Sequence, residues 1–582
     1  MKKLAVILAV ILALLLILLA GLLIWEQRNT NTSIEQTVPV TAASETTAPT
    51  ETEPPEPETT EAEVTAPTET QPTEPEPTET LPPEPAFSPN AVDSTDPGNW
   101  GIQWSIIENG IPVESFQRDI PITFEGDYFA FPGVAGFRSD YNRTNGSYGT
   151  VDIQEGSIKS LWRAHVGALG TTEWIGCGWT GQPLVVQWDS ETKAIMNLYD
   201  SKKEKENLVE AIYPKMDGYV HFLDMEDGSF TRDPLFLGNV FKGSGALDPR
   251  GYPILYVGAG IPYKNVPQHF YAVSLIDGQI LFEFSGQHSL SPRGWCAFDS
   301  GPLIDAETDT LIWACENGML YTMKLNTRYD KETGMISMNP DAPVIGYCTH
   351  NYNRKGRNAG FEASVTAAKG YVYLADNSGM LLCVDINTME LIWAQDIKDD
   401  INATPLLDWE GDNGYLYIAP SLEFTNTDVP LYKINAETGE IVWQYHVKCV
   451  KDKTISGGAL ASPLLGRSGT TMEDLVIFSI ASTPGIWNGK IIAFHKVTGE
   501  IVWEYQSRNY MWSSPIALYT EDGKGYIFQA CTPSGYCLLM DGQTGEVLNT
   551  YKVGRTIEST PVAFGNHILV GSRTGMHLLE IN

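Results

Sequence analysis

The sequence predicts an all-β fold, an eight-bladed β-propeller of four-stranded antiparallel blades, and three observations predict it. The first is a recurring hairpin: LYKINAETGEIVWQYHV at 431–447, IIAFHKVTGEIVWEYQ at 491–506 and LLMDGQTGEVLNTYKV at 538–553, with looser copies at 381–396 and 269–284. Glycine in the turn supplies a positive φ, and alternating β-branched residues on either side make strands of the flanks. The second is a recurring start, a small polar residue, usually before proline, and then a short apolar run. It appears as GQPLV at 181, GSGAL at 243, DSGPL at 299, EASV at 362, NATPL at 402, ASPLL at 461, SSPIA at 513 and STPVA at 559. Between start and hairpin sits a turn with one more strand, so each unit holds four strands, and eight starts give eight blades. The third is an imbalance at the ends. The last unit, from Ser559, has three strands, while GSIKSLWRAHV at 156–166 is a strand with no blade of its own. Pairing the two closes the ring and leaves no open edge. Seven blades is the alternative count, because the copy at about 179–238 is weakly defined.

The hairpin unit, strand, xD-x-x-T-G-x-x-x-W, strand, resembles the PQQ-like repeat of quinoprotein dehydrogenases and of the outer-membrane assembly lipoprotein propellers. It is carried by residues 435–440 with Trp443, 495–500 with Trp503 and 385–390 with Trp393. The resemblance covers roughly 156–582. It implies that Trp393, Trp443 and Trp503 dock one blade on the next, and that an enzyme of this kind would hold PQQ and calcium on its axis. Many such enzymes set two adjacent cysteines against the cofactor, and this chain has no Cys-Cys pair. No calcium-binding Glu, Asn and Asp set falls on matching positions, so no catalytic, cofactor-binding or metal-binding residue is carried over.

The N-terminus reads differently. Residues 4–25 are uncharged and apolar after Lys2 and Lys3, long enough to cross a hydrocarbon core of about 30 Å. The two lysines stay inside by the positive-inside rule, which makes residues 1–28 a single-pass anchor in a bacterial membrane and places the rest outside the cytoplasm, at the cell surface. A cleaved signal peptide is the alternative. Residues 29–96 are rich in Thr, Glu and Pro and form an extended, disordered stalk. Residues 97–155, glycine-rich and aromatic, form a lead-in covering the propeller, with a glycosylation sequon at Asn142-Arg143-Thr144.

Charge narrows the partners. The chain carries 38 basic against 72 acidic residues, a net of −34, and no basic run follows Lys3, which excludes nucleic acid. Eight scattered cysteines make no CxxC pair; Cys531 and Cys537 are near enough in sequence to face each other across a hairpin. DWEGDNG at 408–414 alternates acidic residues but serves as a hairpin turn rather than a calcium loop. Loops before each first strand converge on the central channel, and these carry the ligand-binding candidates Trp174, Trp179, Arg293, Trp295, Trp512 and Glu558. The function expected is a non-catalytic, monomeric binding or scaffold module for an envelope protein, peptide or glycan, needing no cofactor. The alternative is a PQQ- and calcium-dependent quinoprotein oxidising alcohols or sugars.

Overall fold

The computed structural model describes residues 87–582 except 171–174, 178–180, 265, 352–356, 358 and 426. The anchor at 4–25, most of the stalk, Trp174 and Trp179 lie outside the described residues, among which no helix is long and apolar enough to cross a membrane.

Eight antiparallel sheets form the ring. Their innermost strands are Leu184–Gln187, Ala246–Leu247, Leu303–Asp305, Thr366–Ala368, Leu406–Glu410, Leu464–Leu465, Ile516–Tyr519 and Val562–Phe564, for blades 1 to 8 in order. Each follows one of the eight sequence starts. Blade 8 is closed by Ile158–His165, which runs antiparallel to Gly575–Ile581, so the count is eight and the ring is shut by its own N-terminal strand.

The hairpin motif has a local cause. The Asn435 side-chain oxygen accepts from the backbone N–H of Glu437 and Thr438 at 2.8 and 2.9 Å, and Asp385 and Asp541 do the same for their own turns. The turn glycines Gly439, Gly499 and Gly545 then adopt φ of 72°, 72° and 74°, a region that favours glycine. Their missing side chains have a second use. Trp393 of blade 4 lies on Gly439 of blade 5, Trp443 on Gly499 of blade 6, and Trp503 on Gly545 of blade 7, so closely that an added Cβ would meet the rings at 2.7, 2.9 and 2.4 Å. Each indole N–H donates to a backbone carbonyl of the next blade, at Ala436, Lys496 and Gly542. Trp162 in the closing strand repeats the contact on Gly228 and Met225 of blade 1. Burying a ring of this size stabilises by roughly 3–5 kcal/mol, judged by the usual cost of Trp→Ala.

Blade 3 reaches the same end by another route. Its fourth strand, Val344–Asn351, has no tryptophan, and the lead-in strand Ile102–Glu108 pairs beside it. Trp104 lies over Gly346 and donates to Met389 O at 2.8 Å, filling the slot against blade 4. The lead-in is thus part of the sheet as well as a cover. Residues 87–96, assigned by composition to the stalk, lie along blades 4 and 5: Phe87 packs on Tyr371 and Trp409, and Thr95 Oγ1 donates to Thr438 O at 2.6 Å.

All eight cysteines are free and buried, so Cys531 and Cys537 are not bridged. The sheet register explains why: Cys537 faces Ala530 across the hairpin rather than Cys531. Asp408–Glu410 and Asn413–Tyr415 pair across the turn expected there.

Candidate functional site

The channel along the ring axis is built from the eight starts, and its two ends differ. The small polar residue in each start forms a layer. The Gly301 N–H donates to Ser364 Oγ, Ser364 N–H to Thr404 Oγ1, Thr404 N–H to Ser462 Oγ and Ser462 N–H to Ser514 Oγ, at 2.8 to 3.0 Å, each step crossing from one blade to the next. Gln182 N–H makes the same bond to Ser244 Oγ. On the blades that carry one, the hydroxyl supplies an acceptor for a backbone N–H of the neighbouring start, and a buried donor left unmade costs about 1–3 kcal/mol.

At the far end the lead-in segment 133–148 crosses the channel. Gly133–Val134 pairs with Val185 and Val186 of blade 1, and Ser147–Tyr148 with Ala563 and Phe564 of blade 8. Between them, Ala135 O, Tyr141 O and Asn142 O accept from Leu247, Ala367 and Leu407 of blades 2, 4 and 5. Arg138 and Arg143 reach inward from this bridge. Arg138 donates to the carbonyls of Pro463, Ser462 and Pro515, and Arg143 to those of Val365, Gly301 and Phe137. Both are buried at 1% exposure or less. Burial pulls their guanidinium groups down, to about 9 and about 10, still cationic at neutral pH. Within the sequon Arg143 is buried in the channel, and Asn142, half-buried, accepts from Leu407 of blade 5 through its backbone carbonyl.

The near end is the mouth on the loop side. Two residues before each hydroxyl position, the register places Lys242, Asp299, Glu362, Asn402, Leu460, Trp512 and Glu558 on blades 2 to 8. On blades 2 to 5 these are joined by Arg293, Glu316, Asn377 and Asp400. Lys242 Nζ bonds Asp299 Oδ2 and lies 3.9 Å from Glu316 Oε1. Arg293 Nη1 donates to Glu316 Oε2 at 3.2 Å and to Asn377 Oδ1 at 3.3 Å. Asn377 Nδ2 donates to Asp400 Oδ1 at 2.9 Å and Glu362 Oε2 at 3.4 Å, and Ser421 Oγ to Asp400 Oδ2 at 3.0 Å. Burial, reinforced by Glu362 and Asp299, holds the Glu316 carboxyl well above its ordinary range despite Lys242. Burial and Glu362 push Asp400 up to about 7, against the donors Asn377, Ser421 and Asn402. Burial alone would lower the Lys242 ammonium, but Asp299, Glu316 and Glu362 outweigh it and raise it.

Blades 6 and 7 make the opposite wall apolar. Leu460, Ala481 and Tyr510 form a small cluster against which Ile455 and Trp512 pack. Glu558 closes the circuit, held by Arg573 at 2.6 and 2.8 Å.

Of the sequence candidates, Arg293, Trp512 and Glu558 stand at this mouth, and Trp295 is half-buried in the loop leading to blade 3. Lys242, Asp299, Glu316, Glu362, Asn377 and Asp400 were not singled out by the sequence. A signal existed for Asp299 and Glu362, which sit inside the repeated starts DSGPL and EASV at one register position.

Residues 303–509 match the family model described as outer membrane protein assembly factor BamB. No curated protein matches the chain. Among solved structures, quinohemoprotein alcohol dehydrogenase ADHIIG from Pseudomonas putida HK5 is similar with a TM-score of 0.52 at 13% identity, over 80% of this chain and 83% of that one. BamB from Moraxella catarrhalis is similar at 14% identity over 73% of this chain and 98% of that one, with a TM-score of 0.38. At these identities the likeness is one of fold.

Proposed function

From the premise that its repeats are those of the PQQ-like propellers, we propose that the chain is a membrane-anchored, extracytoplasmic binding module that does no chemistry of its own. Its ligand, an envelope peptide, protein or glycan, sits on the loop-side mouth. The observation that carries this reading is the division of that mouth. Four carboxylates against two cations face one side, and Leu460 and Trp512 with their apolar neighbours face the other. Such a surface suits a ligand bearing both an ammonium group and an apolar face, as a lysine-containing peptide or an amino-bearing glycan does. The far end, filled by Arg138 and Arg143, leaves the ligand one side of approach.

The catalytic alternative needs a place for PQQ and calcium, and the residues present do not fit the pair. The carboxylates that would hold the ion already surround Lys242. PQQ is a tricarboxylate, and a mouth with carboxylates in excess repels it unless an ion bridges them.

The test is calorimetric titration of the purified full chain with soluble peptidoglycan fragments bearing free amino groups, beside PQQ with calcium and dye-linked oxidation of simple alcohols and sugars. Binding of the fragments that weakens at least tenfold in Trp512→Ala and in Glu362→Gln supports the binding module. Stoichiometric PQQ uptake with turnover overturns it.

A further inference from the structure

We infer that the Lys242 ammonium is a built-in replacement for a divalent cation: Asp299, Glu316 and Glu362 form a three-carboxylate cation pocket that the chain fills itself, and which therefore takes no metal while Lys242 is present.

The pocket has the dimensions of an ion site. One carboxylate oxygen from each of the three residues lies within 4.8 Å of the others, the spacing oxygens take around a hard ion bound at about 2.0–2.6 Å. The three come from separate loops, before blade 3, inside blade 3 and before blade 4, so the packing of blade 3 on blade 4 assembles them. Two of their oxygens are unsatisfied. Among the described residues Asp299 Oδ1 and Glu316 Oε1 accept no hydrogen bond, although their side chains are only 8% and 1% exposed. Buried carboxylate oxygens in that condition are costly unless a proton or a cation attends them.

Lys242 is what attends them. It enters from the start of blade 2, bonds the other oxygen of Asp299, and lies 3.9 Å from the orphaned Glu316 Oε1. The acids that act on its ammonium are the same three. Room for the arrangement is made by glycine: a Cβ at Gly260 would lie 2.4 Å from Asp299 Oδ1 and 2.9 Å from the Lys242 stem, and one at Gly360 would lie 2.7 Å from Arg293 Nη1. Arg293 meets part of the remaining negative charge, its Nη1 3.2 Å from Glu316 Oε2. A divalent ion entering beside the ammonium would face like charge at close range in a partly buried site, where screening is weak. The pocket thus holds a cation of its own, and ligand capture at the mouth is insensitive to chelators. That last clause alone rests on the mouth being the ligand site.

The experiment is manganese binding to the chelator-stripped full chain, read by electron paramagnetic resonance, so that its outcome is independent of any ligand. The native chain is expected to hold no Mn²⁺ that Glu316→Gln removes. Lys242→Met, which keeps the stem and removes the charge, is expected to gain one site per chain at least tenfold tighter than any in the native chain. Lys242→Arg is expected to gain none, and adding Glu316→Gln to Lys242→Met is expected to abolish the new site. Lys242→Gln serves if Lys242→Met does not fold, as judged by circular dichroism. Native chain that binds one Mn²⁺ in a Glu316-dependent way overturns the inference, and so do folded Lys242→Met or Lys242→Gln proteins that gain nothing.

Discussion

The two ends of the channel solve one problem, buried charge, in opposite ways. At the far end two arginines are held by backbone carbonyls from blades 3, 4, 6 and 7, and no carboxylate of the described residues is bonded to either guanidinium. At the polar wall of the mouth four carboxylates outnumber two cations, and burial raises the Glu316 and Asp400 carboxyls. Carbonyl dipoles are fixed by the strands, so the far end has one arrangement, and it is structural. Carboxylates gain and lose protons and accept from many donors, so the mouth has adjustable charge, as a recognition surface needs.

This contrast can be broken in stages. Arg138→Met with Arg143→Met should have the largest effect, because it strips charged donors from carbonyls at the starts of four blades. A loss of more than about 5 kcal/mol is expected in chemical denaturation, from hydrogen bonds to charged groups worth about 1.5–3 kcal/mol each. Wild-type stability in the double variant would mean that the bridge is not structural. At the mouth, Asp299→Asn should cost about 3 kcal/mol, since it takes the nearest carboxylate from a buried lysine, whereas Glu316→Gln should cost less, because burial already disfavours the charge on that carboxyl. Equal losses in these two variants would contradict the charge assignment. Between the ends, Ser462→Ala removes one member of the hydroxyl layer and leaves Thr404 N–H without its acceptor, for about 1–2 kcal/mol in the same assay.

The smallest effect concerns pH. Asp400 titrates near 7 in the folded chain, against about 4 when unfolded. Between those values the folded state keeps a proton that the unfolded state releases, so stability declines as pH rises through the window and levels off above it. Asp400→Asn should flatten that decline in melting temperature measured from pH 4 to pH 8. The change is small because Asp400 is only half-buried, and an unaltered slope would show that Asp400 is not its source.

Much of the ring was legible because its causes are local. The Asx-type turn, the glycine after it and the tryptophan that lies on the next glycine all fall within one hairpin, so they repeat at fixed offsets. The closing strand was legible too, as a surplus at one end and a deficit at the other. Trp104 was not, because the slot it fills belongs to a blade more than two hundred residues away. The arginine bridge escaped for the same reason: its partners are carbonyls, which leave no mark on composition. At the mouth, Arg293 and Trp512 stood out by residue type, while Asp299 and Glu362 needed the repeats to be aligned before their common position became visible.

The shutting of blade 8 by Ile158–His165 also sets an order in time. That strand leaves the ribosome before any complete blade, and its partner, Gly575–Ile581, follows every other strand of the ring. Throughout synthesis Ile158–His165 waits with a bare edge, and a product that stops short of residue 575 never covers it. Gly575–Ile581 therefore acts as a check on the ring: only a chain that carries this strand hides the edge by which an unfinished one would be recognised, degraded or drawn into aggregates.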